Sequence, residues 1–285
     1  MTHRPTPLAV RCARIASLVA HIARGLWIVR TRFAALPPQQ QDEALRRWAR
    51  ELLAILRVEV RCHNAPETLP ERCLLVSNHV SWLDIFAVYA VTPGLFVAKS
   101  EIRDWPVVGG LVRRVGTLFI ERGSRRHARR TNERVVAALE AGRLVAVCPE
   151  GTTTDGRSVK HFHAALLQPA IDARALVLPV TLRFVDANGA QTDAPIYVDD
   201  MSLARSVWRI VSMPAMAVEL RFAPYVSAAD EHRRELAQRV RGIIAHELGL
   251  RHSHTRSETP ADPRAEPPST GRPTRTPCPA PADPA

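Results

Sequence analysis

The hydrophobic pattern divides the chain into three stretches. In the first, Leu8, Ile15, Val19, Ile22 and Leu26 fall within about a 60° arc of a helical wheel, which predicts an amphipathic helix. Arg14, His21, Arg24 and Arg32 occupy a separate flank, with Arg11 nearer the boundary and Trp27 beside the stripe. An apolar stripe beside a basic flank suits a helix lying in a membrane interface. An ordinary core-packing helix with a solvated basic face has the same pattern, so both readings stand. In the middle stretch, short apolar runs alternate with helical spacing. Strands are predicted at Cys73–Ser77, Leu118–Ile120, Leu144–Cys148, Ala175–Leu182 and Met216–Phe222, with Pro179 inside the fourth. Helices are predicted from Trp82 to Tyr89 and from a Ser124 cap to Gly142. A last helix is capped by Ser227, carries Leu236, Val240, Ile243, Ile244 and Leu248, and stops at Gly249. Such alternation implies an α/β domain with a largely parallel central sheet and flanking helices. From Arg251 onward the chain is Pro-rich and nearly free of large apolar residues, a composition that predicts disorder. The expected organisation is a membrane-associating segment over 1–35, a catalytic-type domain over 36–250 and a tail over 251–285.

Composition narrows the class. With 285 residues, 46% of them hydrophobic, wholesale disorder is excluded. The formal charge of +11 favours anionic partners, although only Lys99 and Lys160 are lysines, so a base-composition bias could produce the same excess. Its placement says more. Residues 1–35 hold six arginines and no acid, and residues 103–130 hold eight arginines against two acids. The five cysteines are scattered and odd in number, which points to neither a disulfide framework nor a zinc site and fits a reducing compartment. No charge-free apolar run reaches about 18 residues, so no membrane-spanning helix is expected. The arginines inside the first apolar stretch argue against a cleaved secretory signal.

Three segments could carry chemistry. Asn78-His79-Val80-Ser81-Trp82-Leu83-Asp84 lies at a strand-to-helix junction, where open α/β sheets place their sites. With Ser81 as cap, Asp84 sits in the first helical turn and His79 in the loop before it. A carboxylate there can fix the imidazole tautomer and leave the other nitrogen free to take a proton. A helix-capping Asp and a carbonyl-bound His would read the same. Arg122, at the end of Gly116-Thr117-Leu118-Phe119-Ile120-Glu121-Arg122, could hold an anion with its planar fork. Arg125, Arg126, Arg129 and Arg130 then oppose the dipole of the next helix, as an external anion or a merely solvated face would explain. In Cys148-Pro149-Glu150-Gly151-Thr152-Thr153-Thr154-Asp155-Gly156, Glu150 could bond a substrate hydroxyl and Gly151 permits close backbone approach. GxSxG, GxxxxGK[ST] and GxGxxG are all missing, and His161 and His163 have no acidic or Cys partner at ligand spacing.

Taken in order, these segments resemble the glycerolipid acyltransferase family. NHVSWLD matches its first block, GTLFIER its second, PEGT the start of its third and Val177-Leu178-Pro179-Val180 its fourth, over about residues 74–182. The resemblance implies direct transfer of a fatty acyl group from a thioester to a lipid hydroxyl. It makes His79 the general base, Asp84 its orienting partner, Arg122 the holder of the acceptor's phosphate, and Glu150, Gly151 and Thr152 the acceptor site. It further implies an acyl-CoA or acyl carrier protein donor, with no metal and no separate cofactor. Thr153 stands where phosphatidic-acid-forming members usually carry Arg. Arg122 remains for a phosphate, so the expected acceptor is 1-acylglycerol 3-phosphate, and the Thr153 departure makes lyso-ornithine lipid the alternative. The expected location is the cytoplasmic face of the inner membrane, peripheral or monotopic, with residues 8–30 and 203–208 against the bilayer. A catalytically silent membrane-surface binding protein is the reading of another class. Aromatics at 5% of the chain argue against a nucleic-acid binder.

Overall fold

The chain opens with α1 (Leu8–Thr31) and α2 (Pro38–Ile55), and strands and helices alternate from there. They are β1 (Val58–His63), β2 (Cys73–Ser77), α3 (Leu83–Val91), β3 (Leu95–Lys99), α4 (Val108–Arg114), β4 (Leu118–Ile120), α5 (Arg125–Glu140) and β5 (Val145–Val147). After them come α6 (Gln168–Asp172), β6 (Leu176–Val185), α7 (Leu203–Ser212), β7 (Met216–Phe222), β8 (Val226–Ser227) and α8 (Arg233–Glu247). These elements come from a computed structural model that describes residues 6–104, 108–120, 125–198 and 200–250. The predicted tail, Arg122 and the Ser124 cap lie outside the described residues.

The strands form one sheet in the order β1-β7-β6-β2-β5-β3-β4, with β8 alongside β6. β7 and β8 run antiparallel to β6, and every other pairing is parallel. β2 is buried at all five positions, and its side chains still sort by the period of two. Cys73 and Leu75 enter the core beneath α2, α3 and α7, while Leu74 and Val76 enter the core beneath α5, α6 and α8. Pro179 is tolerated inside β6 because of where its missing N–H falls. Leu176 and Leu182 send their N–H groups to the β2 side, so the alternate residue Pro179 faces the other flank. There β8 pairs at Leu176 and Val177, and β7 takes over only at Val180.

Two sequence expectations are corrected. The last helix starts at Arg233 with His232 as its cap; Ser227 is instead paired with Leu176 in β8. Gly249, at φ +71°, does stop that helix, the left-handed conformation that glycine adopts without strain. The second correction concerns α1. Its apolar stripe is divided, with Ile15, Ile22 and Leu26 packed against the protein while Leu8 and Val19 are exposed. The basic flank is partly internal as well. Arg14 bonds the carbonyls of Val211, Met213 and Pro214, and His21 is buried, stacked on Trp48 and bonded to its carbonyl. By length and composition α1 could still cross a membrane, since only 22% of its most apolar window is buried.

Candidate active site

The site lies at the carboxyl end of the sheet, between β2 and β5. These strands are neighbours, yet β2 leads into α3 on one face and β5 leads toward α6 on the other. Adjacent strands whose connections depart to opposite faces leave a crevice, the topological switch point at which open α/β sheets bind ligands.

His79 stands in the loop between β2 and α3, and nearly every polar group it owns is engaged. Its N–H donates to Glu150 Oε1 at 2.8 Å. Its carbonyl accepts the Thr154 N–H at 2.8 Å and the Thr154 hydroxyl at 3.3 Å. On the ring, Nδ1 lies 2.8 Å from Asp84 Oδ2. That same oxygen accepts the N–H groups of Val80 at 2.7 Å and Ser81 at 2.9 Å. Because Oδ2 acts as an acceptor throughout, Nδ1 donates and carries the ring proton, which leaves Nε2 with its lone pair. Asp84 is buried at 1% exposure in the first turn of α3, where a carboxylate also meets the positive end of the helix dipole. The His79 side chain keeps 22% of its surface, so the ring is reachable while its orienting partner is not.

The loop after β5 is a brace for the first loop. Glu150 is 3% exposed, and its second oxygen accepts the Lys160 N–H at 2.8 Å. Burial holds its carboxyl above the ordinary value of 4.5, and the two backbone N–H bonds, from Lys160 and His79, partly offset that rise. Gly151, at φ +62°, closes a turn by donating its N–H to the Cys148 carbonyl at 3.1 Å. Thr152 is exposed at the tip of this loop. Thr153, at the departure from the family pattern, donates its hydroxyl to the Tyr197 carbonyl, and the Tyr197 N–H donates to the Val80 carbonyl at 3.1 Å. The segment around Tyr197 thereby joins the two loops. Cys148, bonded to the Ser77 hydroxyl at 3.4 Å, has its thiol pushed up to about 12 by burial, so it stays protonated near neutral pH and is a poor nucleophile.

His79, Asp84, Glu150 and Gly151 are thus brought together, with Glu150 turned toward backbone amides. Asn78 was not singled out by the sequence. Its Nδ2 donates to the Leu182 carbonyl at 3.0 Å, and its Oδ1 accepts the Leu182 N–H at 2.8 Å. A side-chain amide copies the donor and acceptor of a peptide group, so Asn78 carries the ladder between β2 and β6 past the end of β2. An Asn directly after a fully buried strand was the available signal.

Beside this loop lies an apolar cavity of about 740 Å³, counting space open to solvent, between α1, α2, α3 and α4. Gly25, Val29, Trp48, Ile85, Tyr89 and Phe96 line much of it, and Ile85 and Tyr89 come from the helix that carries Asp84.

Residues 58–183 match the family model described as Acyltransferase. The chain is 38% identical over 218 residues to a 1-acyl-sn-glycerol-3-phosphate acyltransferase of Neisseria meningitidis serogroup B, covering 75% of this chain and 85% of that protein. It is 35% identical over 242 residues to a lyso-ornithine lipid O-acyltransferase of Pseudomonas aeruginosa, covering 83% and 92%. The crystal structure of a 1-acyl-sn-glycerophosphate acyltransferase from Thermotoga maritima shares the fold, with a TM-score of 0.61 at 21% identity, over 86% of this chain and all of that one. The chain belongs to the acyltransferase family that includes these 1-acyl-sn-glycerol-3-phosphate and lyso-ornithine lipid acyltransferases.

Proposed function

We propose that this enzyme transfers a fatty acyl group from an acyl thioester to the hydroxyl of a lysophospholipid. The observation that carries the reading is the His79–Asp84 pair, in which Nε2 is the one ring nitrogen left to accept a proton. His79 Nε2 takes the proton of the acceptor hydroxyl as that oxygen bonds to the thioester carbonyl carbon. When the tetrahedral species collapses, the C–S bond breaks and the imidazolium returns its proton to the departing sulfur. No covalent acyl-enzyme is required. The apolar cavity beside α3 receives the acyl chain, its lining being almost wholly hydrocarbon and aromatic. The donor is acyl-CoA or acyl carrier protein, both anionic, and the Arg-rich stretch 103–130, with Arg122, suits them and a phosphate-bearing acceptor. The enzyme works at the cytoplasmic face of the inner membrane, held there by residues 1–35.

The first acceptor is 1-acylglycerol 3-phosphate, giving phosphatidic acid. Lyso-ornithine lipid is the second reading, and a specific observation favours it. Thr153 fills the position at which the family's phosphate-using members carry Arg, and its hydroxyl is already bonded to Tyr197. A panel of lysolipid acceptors with one labelled acyl-CoA, read by product mass, tests both. Labelled phosphatidic acid supports the first reading and labelled ornithine lipid the second. If neither thiol release nor an acylated product appears with any acceptor or donor carrier, the chain is a silent surface-binding protein and the assignment is wrong.

A further inference from the structure

Seven large hydrophobic side chains are exposed among the described residues, and four of them belong to two helices that touch, α1 and α7. Leu8 (64%) and Val10 (41%) belong to the first turn of α1; Leu203 (37%) and Trp208 (41%) belong to α7. The two helices are fastened at this place. The Thr6 N–H and hydroxyl both donate to the Ser212 carbonyl, at 3.1 and 3.0 Å. Arg14 spends its guanidinium on the carbonyls that end α7. The Arg11 guanidinium lies 5.3 Å from the centre of the Trp208 ring, and Arg205 is exposed on the same outward face. The inward face of α7 is tied to the site, because Ser206, fully buried, accepts the Trp82 indole N–H at 3.0 Å. Trp82 lies between His79 and Asp84 in the chain.

We propose that α7 is a second membrane-contact element, seating Trp208, between Arg205 and Arg11, in the anionic headgroup layer beside the start of α1. The inference rests on the lipid acyl-transfer reading. A tryptophan edged by arginines is matched to that layer, since the ring favours the boundary between acyl chains and headgroups while the guanidinium groups meet lipid phosphates. The surface continues onto α1, the helix apolar and long enough for a membrane. The contact also lies next to the loop that must receive the acceptor hydroxyl.

The test uses the full chain and vesicles of phosphatidylglycerol with phosphatidylethanolamine, against vesicles of phosphatidylcholine. Trp208→Ala should weaken binding to both by about three- to tenfold, leaving the residual hold of α1. Arg205→Glu, a change on an exposed side chain, should weaken binding to the anionic vesicles alone, by about fivefold or more. Both variants should keep wild-type turnover on a short-chain acceptor dissolved as monomer and turn over the same headgroup in anionic vesicles several-fold more slowly, in step with the lost binding. Unchanged vesicle affinity in both variants overturns the proposal. So does a loss of self-association in place of lipid binding, which would make the face a contact between copies of this chain. If vesicle affinity falls as expected and no acceptor is acylated, the contact stands and the acyl-transfer reading fails.

Discussion

The loop that holds His79 and the wall of the apolar cavity share α3, yet they are specified in opposite ways. In the loop, position is set by directional bonds: the His79 N–H to Glu150, its carbonyl to Thr154, its ring to Asp84. In the cavity, apolar surfaces from four helices meet without directional partners. Hydrogen bonds fix position and orientation, and an unmatched one in a buried place costs the full desolvation of the group. Dispersion contacts fix only volume, and a methylene more or less can be taken up by small shifts. One element therefore carries a rigid site on its first turn and an adjustable surface behind it.

The hardest test of this contrast is His79 itself. His79→Ala should lower acyl transfer by about 10²–10⁴-fold, the range expected when a general base is removed. Its side chain is neither core nor a brace, so the thermal midpoint should move little. A turnover within about tenfold of wild type would remove His79 from the mechanism. Asp84→Asn comes next. The Asn oxygen can still accept the Val80 and Ser81 N–H groups, but its charge is gone and its hold on the ring tautomer weakens. Activity should fall by about 10²-fold, in turnover more than in the Michaelis constant, because the ring is no longer held in the productive tautomer. Turnover within about threefold of wild type would show that Asp84 merely caps α3.

Glu150→Gln probes the brace. A glutamine oxygen can serve only one of the two backbone N–H groups, and its own amide then faces the other. The expected cost is about 1–3 kcal/mol of stability with a loss of turnover, while the Michaelis constant for the acceptor stays near wild type. A large rise in that constant with turnover unchanged would return Glu150 to direct acceptor binding. The pH dependence carries a second sign. Burial holds the Glu150 carboxyl above 4.5 in the folded protein, so folded protein binds this proton more tightly than unfolded. Its favourable contribution is complete below the ordinary value and declines as pH rises through the raised one. The Gln variant should show a flatter stability profile across that window.

These residues also show how far the sequence could be read. β2, β4, β6 and β7 were legible because each is a short apolar run bounded by turn residues, and His79 with Asp84 because five-residue spacing at a strand-to-helix junction is local. Tertiary partners were not. Arg14 reads as part of a solvated flank, and its acceptors lie nearly two hundred residues away at the end of α7. Glu150 reads as a substrate ligand until the His79 and Lys160 amides are seen around it. β1 and α2 carry no motif, and β1 is interrupted by Glu59 and Arg61, so a reading led by chemistry passes over both. The helix divided between exposed and packed apolar faces escapes for another reason. A single apolar stripe has one direction on the helical wheel, whereas α1 has two apolar environments.

The smallest effect is expected at Gly25, and it separates volume from chemistry most cleanly. Gly25 lies in α1 against the Trp48 indole. A Cβ there would stand 2.6 Å from Nε1 and 3.0 Å from Cε2, closer than atoms tolerate. The backbone is helical, so alanine itself is favoured over glycine by about 1 kcal/mol. The indole must therefore give way. Its stack on His21, with ring centroids 5.1 Å apart, opposes movement to one side, and the cavity that Trp48 also lines lies on another. Gly25→Ala should push the ring into that space, lowering transfer from long acyl donors a few-fold and leaving short donors unaffected. Equal losses on short and long donors would mean that the cavity wall and the loop are mechanically joined through α3, and the contrast between them would fail. A selective loss would establish that donor length is set by packing alone, independently of the hydrogen bonds that aim His79.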